Sequence, residues 1–99
     1  MTQQSMLEEL EAFAASLAVK VSYESLASSV GTGGLCRVRR EYRVIIDKRA
    51  QVGDRLGALA HALAQLPTLA PDLLAGTGGA TLSAPVRHLL RHHARRRAS

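Results

Sequence analysis

The amino-acid sequence predicts an α+β fold: a small three-stranded antiparallel sheet packed by two amphipathic helices and followed by a basic C-terminal helix. Three patterns point to it. Apolar residues recur at helical spacing in two separate stretches, Met6, Leu10, Phe13 and Leu17, then Val52, Leu56, Leu59, Leu63 and Leu66. Between them, Val19, Val21 and Tyr23 alternate with Lys20, Ser22 and Glu24, and the β-branched run Val44, Ile45 and Ile46 follows a segment in which Cys36 and Val38 alternate with arginines. After residue 83 a third helical pattern appears, short on its apolar side and rich in arginine and histidine on the other.

The first helix is expected to start at Ser5, with Ser5 and Glu8 as a capping box and Glu8, Glu9 and Glu11 near the positive end of the helix dipole. A strand follows over residues 19–24. Residues 25–34 read as a loop with one helical turn near Leu26. Its glycines fit neither GxxxxGK[ST] nor GxGxxG, so it is expected to be a turn before a strand and not a phosphate cradle. Residues 35–39 and 42–47 form a hairpin around Arg40 and Glu41, without the Asn-Gly or Asp-Gly that tight turns prefer. The second helix covers residues 52–66 and stops at Pro67. Beside its leucine stripe runs a stripe of small residues, Gly53, Gly57, Ala60 and Ala64, which lets another backbone approach, either from within the chain or from a partner. Residues 71–75 read as one helical turn closed by Gly76, and 77–81 as a loop. Ser83 then caps a last helix with Pro85 in its first turn. Val86, Leu89, Leu90 and His93 share one side of it, and Arg87, Arg91 and Arg95 with His88 and His92 share the other. So short a stripe cannot hold a helix alone, so it must dock, and it is expected to fray after Ala94. The organisation is thus a compact domain over 1–76, a loop over 77–82 and a basic helix and tail over 83–99.

The chain has 99 residues, 46% hydrophobic and 3% aromatic, with a formal net charge of +5. A chain of this size supports one core, and its mixed composition excludes a wholly disordered protein. Residues 1–85 carry as many basic as acidic side chains. The last fourteen carry five arginines, Arg87, Arg91, Arg95, Arg96 and Arg97, and no acid, so the excess charge lies there. The N-terminus is acidic and amphipathic, unlike a secretory signal, and no apolar run is long enough to span a membrane. A cytoplasmic location is expected, and sixteen alanines with arginine favoured over lysine suggest a bacterial source.

No catalytic constellation emerges. A single cysteine, Cys36, allows no internal disulfide and no cysteine-based zinc site; beside Arg37 its thiol could be activated, but a small structural side chain fits a strand better. Asp47 and Asp54 read as a strand-end group and a first-turn helix acid. His88 and His92, four apart, have the spacing of paired metal ligands, yet five arginines crowd the segment and would repel a divalent cation, so no metal and no cofactor is expected.

The order helix, strand, glycine-containing loop, two strands ending in VIID, then RLGALAHAL, over about residues 19–66, resembles the opening of the zincin-like metallopeptidases that accompany phage-type repressors. In that family a hairpin feeds a helix bearing HExxH. With His61 aligned to the first histidine, Ala62 stands where the catalytic glutamate would be and Gln65 where the second zinc ligand would be. The resemblance therefore implies an architecture and carries over neither zinc binding nor peptide hydrolysis. Helical spacing also puts His61 opposite the leucine stripe, toward solvent.

The leading expectation is a non-enzymatic interaction module that pairs with a protein partner or with itself as a homodimer, through Gly53, Gly57, Ala60 and Ala64 or through an open sheet edge. The alternative is weak, sequence-independent binding of nucleic acid or another polyanion by Arg87, Arg91, Arg95, Arg96 and Arg97. A degenerate zincin-like domain without peptidase activity is a second alternative. Association of the last helix with a membrane surface comes last, since that helix has no Trp or Phe to bury.

Overall fold

A computed structural model describes residues 2–25, 33–67, 69 and 82–98. The expected turn near Leu26, the helical turn over 71–75 and the loop over 77–81 lie outside the described residues. The order is α1 (Gln3–Ser16), β1 (Lys20–Glu24), β2 (Gly33–Val38), β3 (Glu41–Asp47), α2 (Val52–Ala64) and α3 (Ala84–Ala98). This is the expected α+β architecture, with one change in the sheet.

α1 begins earlier than Ser5. Thr2 is the cap: its Oγ1 accepts from the Ser5 N–H at 3.1 Å, and Ser5 Oγ accepts from the Thr2 N–H at 3.1 Å. Ser5 is therefore the third-position partner of a capping box, and none of the three glutamates falls in the first turn. The start moves the buried stripe to Leu7, Leu10 and Ala14, with Met6 and Phe13 half-buried; Leu17, expected inside, is 38% exposed because the helix ends there. The ending is a Schellman motif. The Val19 N–H donates to the Ala14 carbonyl at 2.9 Å and the Ala18 N–H to the Ala15 carbonyl at 3.1 Å, which puts Ala18 at φ 60°.

The sheet order is β1-β3-β2. β2 and β3 are the expected antiparallel hairpin, but β1 pairs with β3 in parallel, Lys20 opposite Arg43 and Glu24 opposite Asp47, so the sheet is mixed and not antiparallel throughout. The stretch between β1 and β3, which includes β2, is long enough for the crossover that parallel neighbours require. Arg39 takes φ 61° in the two-residue hairpin turn. Val44 and Ile46 of β3 point to the helices and are fully buried, as are Leu59 and Leu63 of α2 and Leu10 of α1.

α2 lies between α1 and α3 and also packs on β2 and β3. Its leucines behave as their spacing predicts: Leu56, Leu59 and Leu63 are buried, as is Leu66, although the helix ends at Ala64 rather than at Leu66. Arg55 closes the β3–α2 connection, donating from Nε to the Ala50 carbonyl at 2.9 Å and from its NH2 group to the Lys48 carbonyl, and its guanidinium sits 5.0 Å from the Tyr23 ring centre. α3 docks through Val86, Leu90 and Ala94, which belong to the same core cluster as the sheet and the other helices. Among the described residues no helix is long and apolar enough to cross a membrane.

Candidate polyanion interface

The C-terminal arginines are presented by the way α3 is anchored. Ser83 precedes its first turn, and the Arg87 N–H donates to the Ser83 carbonyl at 3.0 Å. Glu9 reaches across from α1. Its Oε2 accepts from the Ser83 N–H at 2.7 Å, and its Oε1 accepts from Ser83 Oγ at 3.0 Å. A carboxylate thus sits at the positive end of α3 and takes up a donor the helix cannot satisfy itself. Val86, Leu90 and Ala94, each four residues apart, then fix the rotation of the helix on α2 and α1.

With that side committed, His88, Arg91, His92 and Arg95 occupy the opposite side and line a hollow of about 280 Å³. His88, His92 and Arg95 are exposed and Arg91 is half-buried. Arg87 lies at the border of the two sides, half-buried, and its Nε–H is buried with no hydrogen-bond partner among the described residues. Arg96 and Arg97 continue the same helix. Among the described residues, no carboxylate pairs with Arg87, Arg91 or Arg95; the ion pairs found are Lys20 and Arg43 with Glu41, and Arg49 with Asp47.

His61, exposed on α2, meets the last helix edge-on. Its ring lies 5.6 Å from that of His93, inclined by 71°, and His93 lies 5.6 Å from His92 at 79°. Helical spacing placed His61 on the outer side of α2 correctly, but nothing in the sequence signalled that α3 would bring His93 against it. Among the described residues no three His, Cys, Asp or Glu side chains are grouped to hold a metal ion.

The small-residue stripe does not form one surface. Ala60 and Ala64 are 0% and 1% exposed inside the fold, and a Cβ on Gly53 would meet the Gln3 side chain of α1 at 3.1 Å. A Cβ on Gly57 would meet none of the described residues within 4 Å. Of the candidate interaction face Gly53, Gly57, Ala60 and Ala64, the structure thus places Ala60 and Ala64 in the core and Gly53 against α1. Cys36 is half-buried on the sheet face away from the helices, level with Arg43.

The aromatic residues are likewise committed. The Tyr23 hydroxyl donates to Glu11 Oε2; burial, then that hydrogen bond and the Glu11 charge, push its pKa well above the usual tyrosine value, with Arg55 opposing. Arg37 stacks over Tyr42 at 5.3 Å, and Phe13 packs against the core. Lys20 and then Arg43 hold the Glu41 carboxyl below its ordinary range, and the Arg49 backbone N–H does the same for Asp47.

Compared with protein-family models, with curated proteins and with solved structures, the chain matches none.

Proposed function

We propose that the protein is a non-enzymatic binding module that holds the phosphate backbone of a nucleic acid on the basic side of α3. The observation that carries this reading is the hollow formed by His88, Arg91, His92 and Arg95, with no acidic residue among the described residues of its wall. Arg87, one helical turn before Arg91, supports the same reading: its buried Nε–H has no hydrogen-bond partner among the described residues, a buried donor left unsatisfied costs about 1–3 kcal/mol, and an anionic oxygen would satisfy it. Arg96 and Arg97 extend the charge along the same helix, which suits a ligand of repeating negative charge better than a single small anion. Binding would track the backbone without reading sequence. Tyr23, Tyr42 and Phe13 all have partners within the fold, which leaves no aromatic platform for unpaired bases among them. A cytoplasmic location goes with this reading.

Fluorescence anisotropy of a labelled DNA duplex at low salt tests it. The wild-type protein should bind, and the double variant Arg91→Gln/Arg95→Gln should bind on the order of tenfold more weakly or worse. No duplex binding by the wild type, or equal binding by the variant, would overturn the reading.

A further inference from the structure

We propose that β1 is a self-complementary edge through which two copies of the chain join into one continuous sheet. The proposal is independent of the basic helix. It begins with the sheet order: among the described residues, β1 is bonded to β3 on one side and to no strand on the other. No described strand covers that outer side. A groove of about 660 Å³ follows Val19 to Tyr23, and it is lined in addition by the small side chains of Ala15 in α1 and Ala18 in the turn after it.

The backbone polarity of β1 follows from one hydrogen bond. The Lys48 N–H donates to the Glu24 carbonyl at 3.0 Å, with Glu24 level with Asp47, so Glu24 turns its backbone groups toward β3. Alternation turns those of Ser22 and Lys20 the same way and leaves the N–H and C=O of Val21 and Tyr23 facing outward. An incoming strand must therefore meet Val21 and Tyr23 as its hydrogen-bonded positions.

The sequence of β1, Lys-Val-Ser-Tyr-Glu, meets that requirement with a copy of itself. Laid antiparallel about a two-fold axis at Ser22, Val21 of each copy falls opposite Tyr23 of the other, and these outward-facing residues exchange backbone hydrogen bonds. Lys20 of each copy falls opposite Glu24 of the other. Both are exposed in the single chain, and both lie on the sheet face away from the helices. A paired arrangement places opposite charges across the strands twice and like charges nowhere, and a shift by one or two residues loses this match. The half-buried Val21 and Tyr23 side chains would be covered in the process. The product is a closed, isologous dimer with a six-stranded sheet, which pairs one of the two sheet edges that no described strand covers.

Charge exchange tests the pairing register. By light scattering coupled to size exclusion, the 99-residue chain should be a dimer at high micromolar concentration. Glu24→Lys alone puts Lys opposite Lys, and Lys20→Glu alone puts Glu opposite Glu. Each should weaken dimerisation by on the order of tenfold or more while keeping the far-ultraviolet circular dichroism of the wild type. Mixing the two variants should restore a dimer containing one of each, and Lys20→Glu/Glu24→Lys on one chain should dimerise as the wild type does. A monomeric wild type, a dimer indifferent to both single variants, or two variants that stay apart when mixed would overturn the proposal.

Discussion

Two residues show how single positions carry measurable energy here. Ala18 stands at the point of the Schellman motif that needs a left-handed backbone, at φ 60°, where glycine is the usual occupant. An L side chain in that region costs about 1–2 kcal/mol, and glycine returns part of the difference through the greater freedom of its unfolded chain. Ala18→Gly should therefore raise stability by up to about 1 kcal/mol, read as a higher urea midpoint; a lower midpoint would contradict the geometry. Tyr23 makes a pH-dependent contribution. Burial and the Glu11 carboxylate raise the pKa of its hydroxyl in the folded chain above the unfolded value near 10. The unfolded state then releases its proton first as pH rises. The stabilisation is complete below about pH 10 and is lost progressively as pH climbs from there toward the folded pKa. Urea midpoints measured from pH 9 to 11 should fall more steeply for the wild type than for Tyr23→Phe, and parallel curves would count against the Glu11 contact.

The decisive contact between elements is Glu9 with Ser83, which joins α1 to the start of α3 across 74 positions of sequence. Glu9→Ala removes two hydrogen bonds and a favourable charge at a helix N-terminus, a loss of about 1–2 kcal/mol. Glu8, one residue away, is exposed and, among the described residues, accepts only from Gln4 at 3.1 Å. Glu8→Ala should therefore change stability by less than about 0.5 kcal/mol. Amide exchange in the first turn of α3 should quicken for Glu9→Ala alone, and equal behaviour of the two variants would dismiss the cap. Local signals could not reveal this contact, because two groups so far apart carry no spacing pattern. The same holds for the parallel pairing of β1. Alternation at Val19, Val21 and Tyr23 identified a half-buried strand, but which neighbour it takes depends on the path of the chain. Where periodicity alone decides, as for the leucines of α2 or the hairpin of β2 and β3, the reading and the structure agree. The small-residue stripe shows the opposite limit. Spacing aligned Gly53, Gly57, Ala60 and Ala64 but could not say whether the close approach came from within, and Ala60 and Ala64 turned out to be core.

At the scale of the whole molecule, one core serves every element, and charge is divided around it. Lys20, Glu41 and Arg43 balance one another on the sheet, as do Asp47 and Arg49 at its end. α3 instead turns Val86, Leu90 and Ala94 into the core and leaves His88, His92 and Arg95 exposed on its other side. The position of the basic residues was legible in the sequence, because the count of charges before and after residue 85 already separates a neutral body from a basic end. That these residues form an outward, rotationally fixed face needed the structure, since Val86, Leu90 and Ala94 had first to be seen in the core. The central claim is that this face binds a phosphate backbone, and its most direct test is the salt dependence of duplex binding. Three to five phosphate contacts predict a slope of about −3 to −5 for log K against log salt, reduced by about two in Arg91→Gln/Arg95→Gln. A slope near zero, or the same slope in wild type and variant, would contradict it.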